Sequence, residues 1–433
     1  MQSNTFPDEM RDSPKDEKWK GILKMYMILA LLFLVMFTMR ATVTILQVFV
    51  PDLSTSFKVT EGTVAIAFTI YNLTSAVISL LVGPLSERFG YKVMIYIGML
   101  IFSLGIGLSS FAWEFWIFAI AQALAGVGAA CFGPANIAFA GDYFPEERRT
   151  SAIGLIMSAF FVSSIIAVPI NSYVADILDW QWGVRIMAII AFLIFVLTLF
   201  FIPKRKQILN SREEEEKSIE QSRIEINITN ISYIGRMKLV LSNKYALGTF
   251  FITLFQRGGL FGMTTLLTSW LKESFGLEKT EAGLIFMGAG IAALISNSIF
   301  SYLADKVGKK IIIIAGTALT GIWAGIFPLI SVTLTSAIIC IIVFNFFGGI
   351  SMGSYNTHIT EVAPESKGTA LAINNTFGQL SIAIIVALLG KGIYDKTGEY
   401  FYCGLVTMGI YFICVIMMLF IIKGRKNMYH LQT

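Results

Sequence analysis

Charged residues are scarce in this chain of 433 residues. Only 14% of the residues are charged and 55% are hydrophobic, whereas a typical soluble domain is roughly 25% charged. Because so few polar side chains cannot cover the surface of a water-soluble globule of this length, the composition excludes a soluble fold. It predicts a protein that lies in a lipid bilayer.

Histidine and cysteine are also rare. The chain has 2 histidines and 4 cysteines, and the cysteine spacing matches no metal site. Cys131, Cys340, Cys403 and Cys414 fall in apolar segments, where we expect them to pack as small hydrophobic residues. No nucleophile–base set and no phosphate-binding G-x-x-x-x-G-K-[ST] loop occurs. The sequence therefore predicts neither enzyme activity nor a process driven directly by ATP hydrolysis. It also predicts no bound metal and no cofactor.

Apolar segments long enough to cross a bilayer as helices occupy most of the chain. Six precede a polar stretch that contains SREEEEKSIEQSR, and six follow it. The sequence thus predicts an all-α membrane protein with a tail at 1–21, a six-helix bundle at 22–202, a linker at 203–244, a second six-helix bundle at 245–423 and a tail at 424–433.

Basic residues are distributed unequally between the two sides that this topology defines. With the N-terminus inside, the inner segments hold 25 of the 33 basic residues and the outer loops hold five. Since cytoplasmic loops are enriched in lysine and arginine, we expect a multi-pass protein of the cell membrane with both termini cytoplasmic. The basic residues are spread over many short loops, so the net charge of +5 does not indicate a nucleic-acid partner.

Two loops of the first half recur in the second half at nearly the same spacing along the chain. GPLSERFGYK at 83–92 corresponds to SYLADKVGKK at 301–310. DYFPEERRTSA, which begins at Asp142, corresponds to EVAPESKGTAL, which begins at Glu361. Acidic, basic, glycine and proline positions match within these pairs. The repeat predicts two related halves in parallel orientation, an arrangement that suits alternating access around a site between them.

The loop GPLSERFGYK resembles the signature loop of the major facilitator superfamily, G-x-L-[AS]-[DE]-R-x-G-[RK]-[RK], with Glu87 in place of the usual aspartate. The resemblance implies twelve transmembrane helices in two six-helix bundles related by a pseudo-twofold axis. It also implies a latch that closes the cytoplasmic side. The residues expected to form this latch are Gly83, Glu87, Arg88, Gly90, Lys92, Asp142, Arg148, Asp305, Lys306 and Gly308.

The expected latch has a physical basis. Gly83 lets a helix of the other half approach closely. A carboxylate at Glu87 is favoured at the N-terminal end of a facing helix, where backbone N–H groups are free. We expect Arg88 to pair with Glu87 or Asp142, and Gly90 to turn the chain.

Two arginines lie deep within predicted spans. Arg40 is in the first helix (FTMRATV) and Arg257 in the seventh (LFQRGGLFG), which are equivalent helices of the two halves. A charge at bilayer depth is costly and marks a candidate functional site. Two facing guanidinium groups suit a carboxylate or phosphate, whereas the alternative is that each caps carbonyls or reaches an interface. The arrangement resembles anion-transporting branches of the superfamily, in which helices 1 and 7 each offer an arginine.

Other polar residues in the spans are further candidates for contact with a substrate. Each is equally suited to bond one helix to another, since an unpartnered polar group is costly in lipid. Together with Arg40 and Arg257, the residues predicted to bind substrate are Gln47, Tyr71, Gln122, Gln256, Asn375 and Gln379.

The sequence also bears on coupling and substrate class. No acidic residue that could carry a proton lies in the middle of a predicted span. The sequence therefore leaves two candidates for a coupling ion, a proton and a counter-anion. Gln122 stands where drug–proton antiporters of the superfamily have an arginine, which weakens that alternative. We expect a monomeric secondary active or facilitative transporter of a small organic anion, either a carboxylate or an organic phosphate. The alternative is an exporter of drugs, lipids or a neutral sugar-like solute by proton antiport.

Overall fold

The computed structural model describes residues 14–203, 233–362 and 367–421, and the regular structure within these ranges is helical. The elements are α1 (Pro14–Val48), α2 (Val50–Phe57), α3 (Glu61–Phe89), α4 (Tyr91–Ser110), α5 (Phe115–Tyr143), α6 (Glu146–Ile177), α7 (Trp180–Phe201), α8 (Tyr233–Ser242), α9 (Lys244–Phe275), α10 (Lys279–Val307), α11 (Lys309–Ile330), α12 (Leu334–Val362), α13 (Lys367–Ala387), a π-helical turn (Leu388–Tyr394), α14 (Asp395–Thr397) and α15 (Tyr400–Ile421).

Eleven of these helices are long and apolar enough to cross a membrane. Helix α9 has 32 residues, which is a comparable length, and carries Arg257 near its middle. The prediction of an all-α membrane protein with six spans in each half is therefore confirmed. Helix α8 lies within the predicted linker, and its buried Val240 packs against Ala246 and Phe250 of the second bundle.

Local sequence explains where several helices begin and end. The Thr60 hydroxyl accepts a hydrogen bond from the Thr63 backbone N–H at the start of α3. The Asn243 side chain accepts from two backbone N–H groups at the start of α9. Such oxygens satisfy donors that the first turn of a helix leaves free. Gly276 ends α9 in a left-handed conformation, which glycine adopts without steric cost.

The repeated loop has the same structure in both halves. Gly90 joins α3 to α4 with φ +87°, and Gly308 joins α10 to α11 with φ +110°. These conformations are accessible to glycine but strained for other residues. Two residues beyond each glycine, a lysine ammonium donates to a carbonyl near the end of its bundle's last helix: Lys92 to Leu199 at 2.9 Å and Lys310 to Leu419 at 3.1 Å.

The two bundles meet along two equivalent pairs of helices. In the first pair α3 packs against α13 and the π-helical turn, and in the second α10 packs against α6. Small residues allow close approach in each pair. A Cβ added at Gly62 would lie 2.6 Å from the Gly390 carbonyl oxygen, and one added at Gly283 would lie 2.8 Å from the Ser172 Cβ. The pseudo-twofold arrangement expected from the repeat is present in this packing.

Replacing Gly105 with alanine is expected to destabilise the first bundle. The new Cβ would lie 2.5 Å from the Ala125 backbone nitrogen where α4 crosses α5, and overpacking of this kind costs about 1–3 kcal/mol. The matched control is Gly107→Ala on the same helix, because its nearest neighbour, the Ala188 Cβ, is 3.8 Å away. Thermal unfolding in detergent should show a lower midpoint for Gly105→Ala only, and equal midpoints would contradict this packing.

Candidate functional site

The helices run between two ends of the molecule, which we name by residues found there. The Gly90 end also contains Gly308 and Asp142, and the Asp176 end also contains Lys279. Among the side chains that the structure describes, several polar contacts between the bundles lie in the half toward the Asp176 end. Near the middle of the helices, Gln379 donates to the Ser75 hydroxyl at 3.5 Å.

Arg40 lies in α1 and is half-buried. Its guanidinium carbon lies 4.2 Å from the centre of the Phe261 ring and 5.2 Å from that of Phe160. Phe160 belongs to α6 of the first bundle and Phe261 to α9 of the second. Arg40 therefore lies at the junction of the two bundles, where its positive charge is attracted to two aromatic faces.

Arg257 approaches the same region from α9. It lies one helical turn before Phe261, so the two side chains project from one face of the helix. The guanidinium lies against Gly378 of α13, since a Cβ added there would be 2.6 Å from Arg257 Nη1. Because Arg40 lies over the Phe261 ring and Arg257 is one turn away on the same face of α9, the two arginines lie in the same region. That they share a substrate site stays a prediction.

Neither arginine forms an ion pair with a carboxylate within the described ranges of the chain. The Tyr71 hydroxyl is close enough to interact electrostatically with Arg40, and the Tyr355 hydroxyl with Arg257. These tyrosines are uncharged in their ordinary form. The centre of the protein therefore holds two positive charges that aromatic and polar groups surround.

Tyr355, Phe160 and Phe261 were not among the residues that the sequence singled out. Tyr355 is buried and accepts a hydrogen bond from the Thr253 hydroxyl at 2.9 Å. Thr253 also contacts the Asn374 side chain, so α9, α12 and α13 share one polar cluster near Arg257. The spacing of Arg257 and Phe261 indicates a common face, but no sequence signal relates either ring to Arg40.

The other predicted substrate residues divide between the junction and the interior of a bundle. Gln47 donates to the Thr265 hydroxyl at 3.0 Å across the junction, as Gln379 does to Ser75. Gln256 donates to Thr317 at 2.9 Å and to Ser351 at 3.1 Å, so its amide nitrogen bonds helices of the second bundle together.

Gln122 and Asn375 complete this set. Gln122 is buried, and its side-chain nitrogen has no hydrogen-bond partner in the described part of the chain. Asn375 is half-buried on α13, one turn before Gln379. Both remain predicted substrate contacts.

The residues predicted to form the latch lie at the Gly90 end. The side chains of Glu87 and Asp305 fall outside those that the structure describes, so the pairings expected of these acids stay predictions. Arg88 lies over the Phe89 ring at 5.3 Å, and Lys306 over the Tyr302 ring at 4.5 Å.

The remaining residues of that set have defined places in the helices. Gly83 is within α3, Asp142 lies at the end of α5, and Arg148 lies in the first turn of α6. Lys92 binds the Leu199 carbonyl within the first bundle, so its ammonium stabilises a helix end there.

Charged side chains cross the junction at the Asp176 end. Lys279 lies 3.4 Å from an Asp52 oxygen and 3.7 Å from an Asp176 oxygen of the opposite bundle. Burial raises the pKa of the Asp52 carboxyl, and the ammonium groups of Lys279 and Lys272 oppose that rise. A cavity of about 450 Å³ adjoins these residues, so water has access to the contact.

The amino-acid sequence matches a family model and several known proteins. Residues 32–386 match the family model described as Major Facilitator Superfamily. The cis,cis-muconate transport protein of Acinetobacter baylyi is 25% identical over 79% of this chain and 81% of its own length. A putative tartrate transporter of Agrobacterium vitis is 23% identical over 84% and 80%. Multidrug resistance protein 2 of Bacillus subtilis is 25% identical over 79% and 81%.

Proposed function

The chain belongs to the major facilitator superfamily and is a transporter rather than an enzyme, and we propose that it carries a small organic anion by alternating access between its two bundles. The proposal is carried by one observation. Arg40 lies over the Phe261 ring at the junction of the bundles, Arg257 lies one turn from that ring on the same helix, and neither arginine has an acidic partner among the described residues.

An unneutralised charge in the middle of a membrane protein is costly, and two adjacent positive charges add mutual repulsion. A bound carboxylate or phosphate removes both costs, because a guanidinium donates paired hydrogen bonds to such oxygens. The Phe160 and Phe261 rings stabilise the Arg40 charge while the site is empty. The site therefore favours an anion over a neutral molecule of similar shape.

The junction suits alternating access because Arg40 and Arg257 belong to different bundles. A ligand held by both is released toward either side when the bundles rock about it. By the distribution of basic residues, we propose that the Gly90 end faces the cytoplasm and the Asp176 end faces outward. The names of the muconate and tartrate relatives are those of carboxylate transporters, which supports the proposed class.

The second candidate is export of a drug or another lipophilic compound. The relative named as a multidrug resistance protein favours it at the same identity as the muconate relative. Such a substrate would contact the aromatic rings near Arg40 without using the positive charges. The two candidates therefore differ in whether a negative charge on the ligand is required.

A binding screen on the purified protein in lipid nanodiscs separates these candidates. The panel contains cis,cis-muconate, tartrate and a sugar phosphate, each beside an uncharged ester, amide or free sugar of similar shape, and a set of lipophilic drugs. A ligand present at 100 times its Kd stabilises the folded state by about 2.7 kcal/mol, which raises the unfolding midpoint. We expect stabilisation by at least one anion and by none of the neutral analogues. Stabilisation by drugs or neutral analogues alone would contradict the proposal.

A further inference from the structure

The Asp176 end contains two contacts in which a carboxylate of one bundle binds the first turn of a helix of the other. The Asp176 carboxylate, at the end of α6, accepts a hydrogen bond from the Thr280 backbone N–H of α10 at 2.8 Å. The Asp395 carboxylate, just beyond the π-helical turn, accepts one from the Gly62 backbone N–H of α3 at 2.9 Å. In both cases the donor is the second residue of its helix.

These contacts are equivalent under the internal repeat. Asp395 is the counterpart of Asp176, and Thr280 is the counterpart of Gly62, because each pair has the same spacing along the chain as the repeated loops. The first contact joins α6 to α10, and the second joins the helix after α13 to α3. The same interaction is thus made twice across the junction. The acid belongs to the first bundle in one contact and to the second bundle in the other.

Each carboxylate also has a lysine partner. Lys279 Nζ lies 3.7 Å from Asp176 Oδ1 and donates to the Ala175 carbonyl at 3.2 Å. Lys391 Nζ lies 2.8 Å from Asp395 Oδ2 and donates to the Thr63 hydroxyl at 3.0 Å. The lysines hold the acids in place, and the free N–H groups at a helix start favour their negative charge.

The backbone around Asp395 is shaped for this contact. The π-helical turn Leu388–Tyr394 interrupts the regular helix immediately before it, and such turns are often found at functional positions. Gly62 leaves room for the acid, because a Cβ there would lie 2.5 Å from the Asp395 carboxyl carbon.

We propose that Asp176 and Asp395 form a symmetric pair of latches that hold the Asp176 end closed, and that both release when this end opens. This inference rests on the proposed alternating access, but it concerns residues distant from Arg40 and Arg257. The two bundles separate at this end only if both carboxylates leave the helix starts that they bind. Their contacts therefore set how much of the protein is closed there in the absence of substrate.

Spin-label distances across the Asp176 end test the latches directly. Trp113 and Val332 lie in loops of opposite bundles and are 76% and 81% exposed, so cysteines there accept labels. The four native cysteines are buried, and the protein without the new cysteines measures background labelling. We expect a dominant short-distance population and a minor longer-distance one in the otherwise unmodified protein. Loss of a capping carboxylate changes a helix equilibrium about fivefold, so Asp176→Ala and Asp395→Ala should each raise the open-to-closed ratio about fivefold, and the double variant roughly 25-fold.

Matched variants separate the latches from general effects of lost charge. Asp179→Ala and Glu399→Ala remove exposed acids a few residues away and should leave the distances unchanged. Gly62→Ala keeps every charge but displaces Asp395, so it should open the end about as much as Asp395→Ala. Thr280→Ala, at the equivalent position, retains the backbone N–H and should have no effect.

An unchanged distance distribution in the double variant would overturn the proposal, as would a predominantly long distance in the unmodified protein. A response confined to one of the two acids would overturn the symmetry. If the acid variants do not fold, the spin-label distances of Gly62→Ala and Thr280→Ala are compared instead. Opening in Gly62→Ala alone supports the latches, and equal distances in the two variants overturn them. The measurement uses no substrate, so its outcome is independent of whether the ligand screen finds an anion.

Discussion

Replacing either Arg40 or Arg257 with glutamine should weaken binding of the anion found in the ligand screen about 100-fold or more. Truncating one side of a desolvated pair of opposite charges, here an arginine and the bound anion, costs about 2–5 kcal/mol of binding free energy. The cost arises because the negative charge of the ligand is left without its positive partner. The unfolding midpoint without ligand should not fall, since the unliganded protein loses a half-buried positive charge that has no acidic partner in the described structure. Isothermal titration calorimetry in nanodiscs measures the affinity.

Lysine at the same positions should restore only part of the affinity. It retains the charge but lacks the planar pair of donors that matches a carboxylate or phosphate. Arg185 provides the control, because it is half-buried and lies 4.7 Å from the Phe111 ring and 4.9 Å from the Trp182 ring. Arg185→Gln therefore removes an arginine with similar aromatic contacts from within one bundle. Equal losses for Arg185→Gln and Arg40→Gln would show that the central location is irrelevant.

Replacing Gly378 with valine should weaken anion binding about 30-fold or more without removing any charge. A Cβ at this position would lie 2.6 Å from Arg257 Nη1 and 2.7 Å from its Cδ, so the arginine side chain must leave its place. Hydrogen bonds to a charged group contribute about 1.5–3 kcal/mol each, and a displaced guanidinium loses them. The same calorimetric titration measures the effect.

The control for this prediction is Gly409→Val in α15, where a Cβ would meet no atom within 4 Å. It introduces the same side chain into a helix of the second bundle and should leave affinity unchanged. Combining Gly378→Val with Arg257→Gln should weaken binding no more than Arg257→Gln alone, because both act on one side chain. Additive losses would show that Gly378 acts on the site by another route.

Hydropathy and the repeated loops were sufficient to predict the architecture. A bilayer requires long apolar helices whose backbone groups bond internally, so the spans are visible as apolar runs. The same physics made Arg40 and Arg257 conspicuous, because a charge in such a run is costly wherever its side chain points. The loop at Gly90 was predictable because its repetition at Gly308 marks a positive-φ turn that favours glycine.

The surroundings of those charges could not be predicted. A glutamine in an apolar helix gives the same sequence pattern whatever its side chain binds. The Gln47 side chain donates a hydrogen bond across the junction, whereas that of Gln256 donates within its own bundle. The difference depends on the rotation of each helix about its axis, which hydrophobic segments this long specify poorly. The ring of Phe261 near Arg40 depends on the crossing of two helices that lie in different halves of the sequence.

The sequence by itself determined that this protein crosses the membrane in two repeated halves and carries two costly positive charges within them. It did so because burial in lipid constrains composition and because a repeat constrains topology. Only the tertiary structure decided that these charges share one junction and that Asp176 and Asp395 bind helix starts of the opposite bundle. Those contacts join residues distant along the chain, and an acid at a helix end has the same local sequence whether it faces water or another helix.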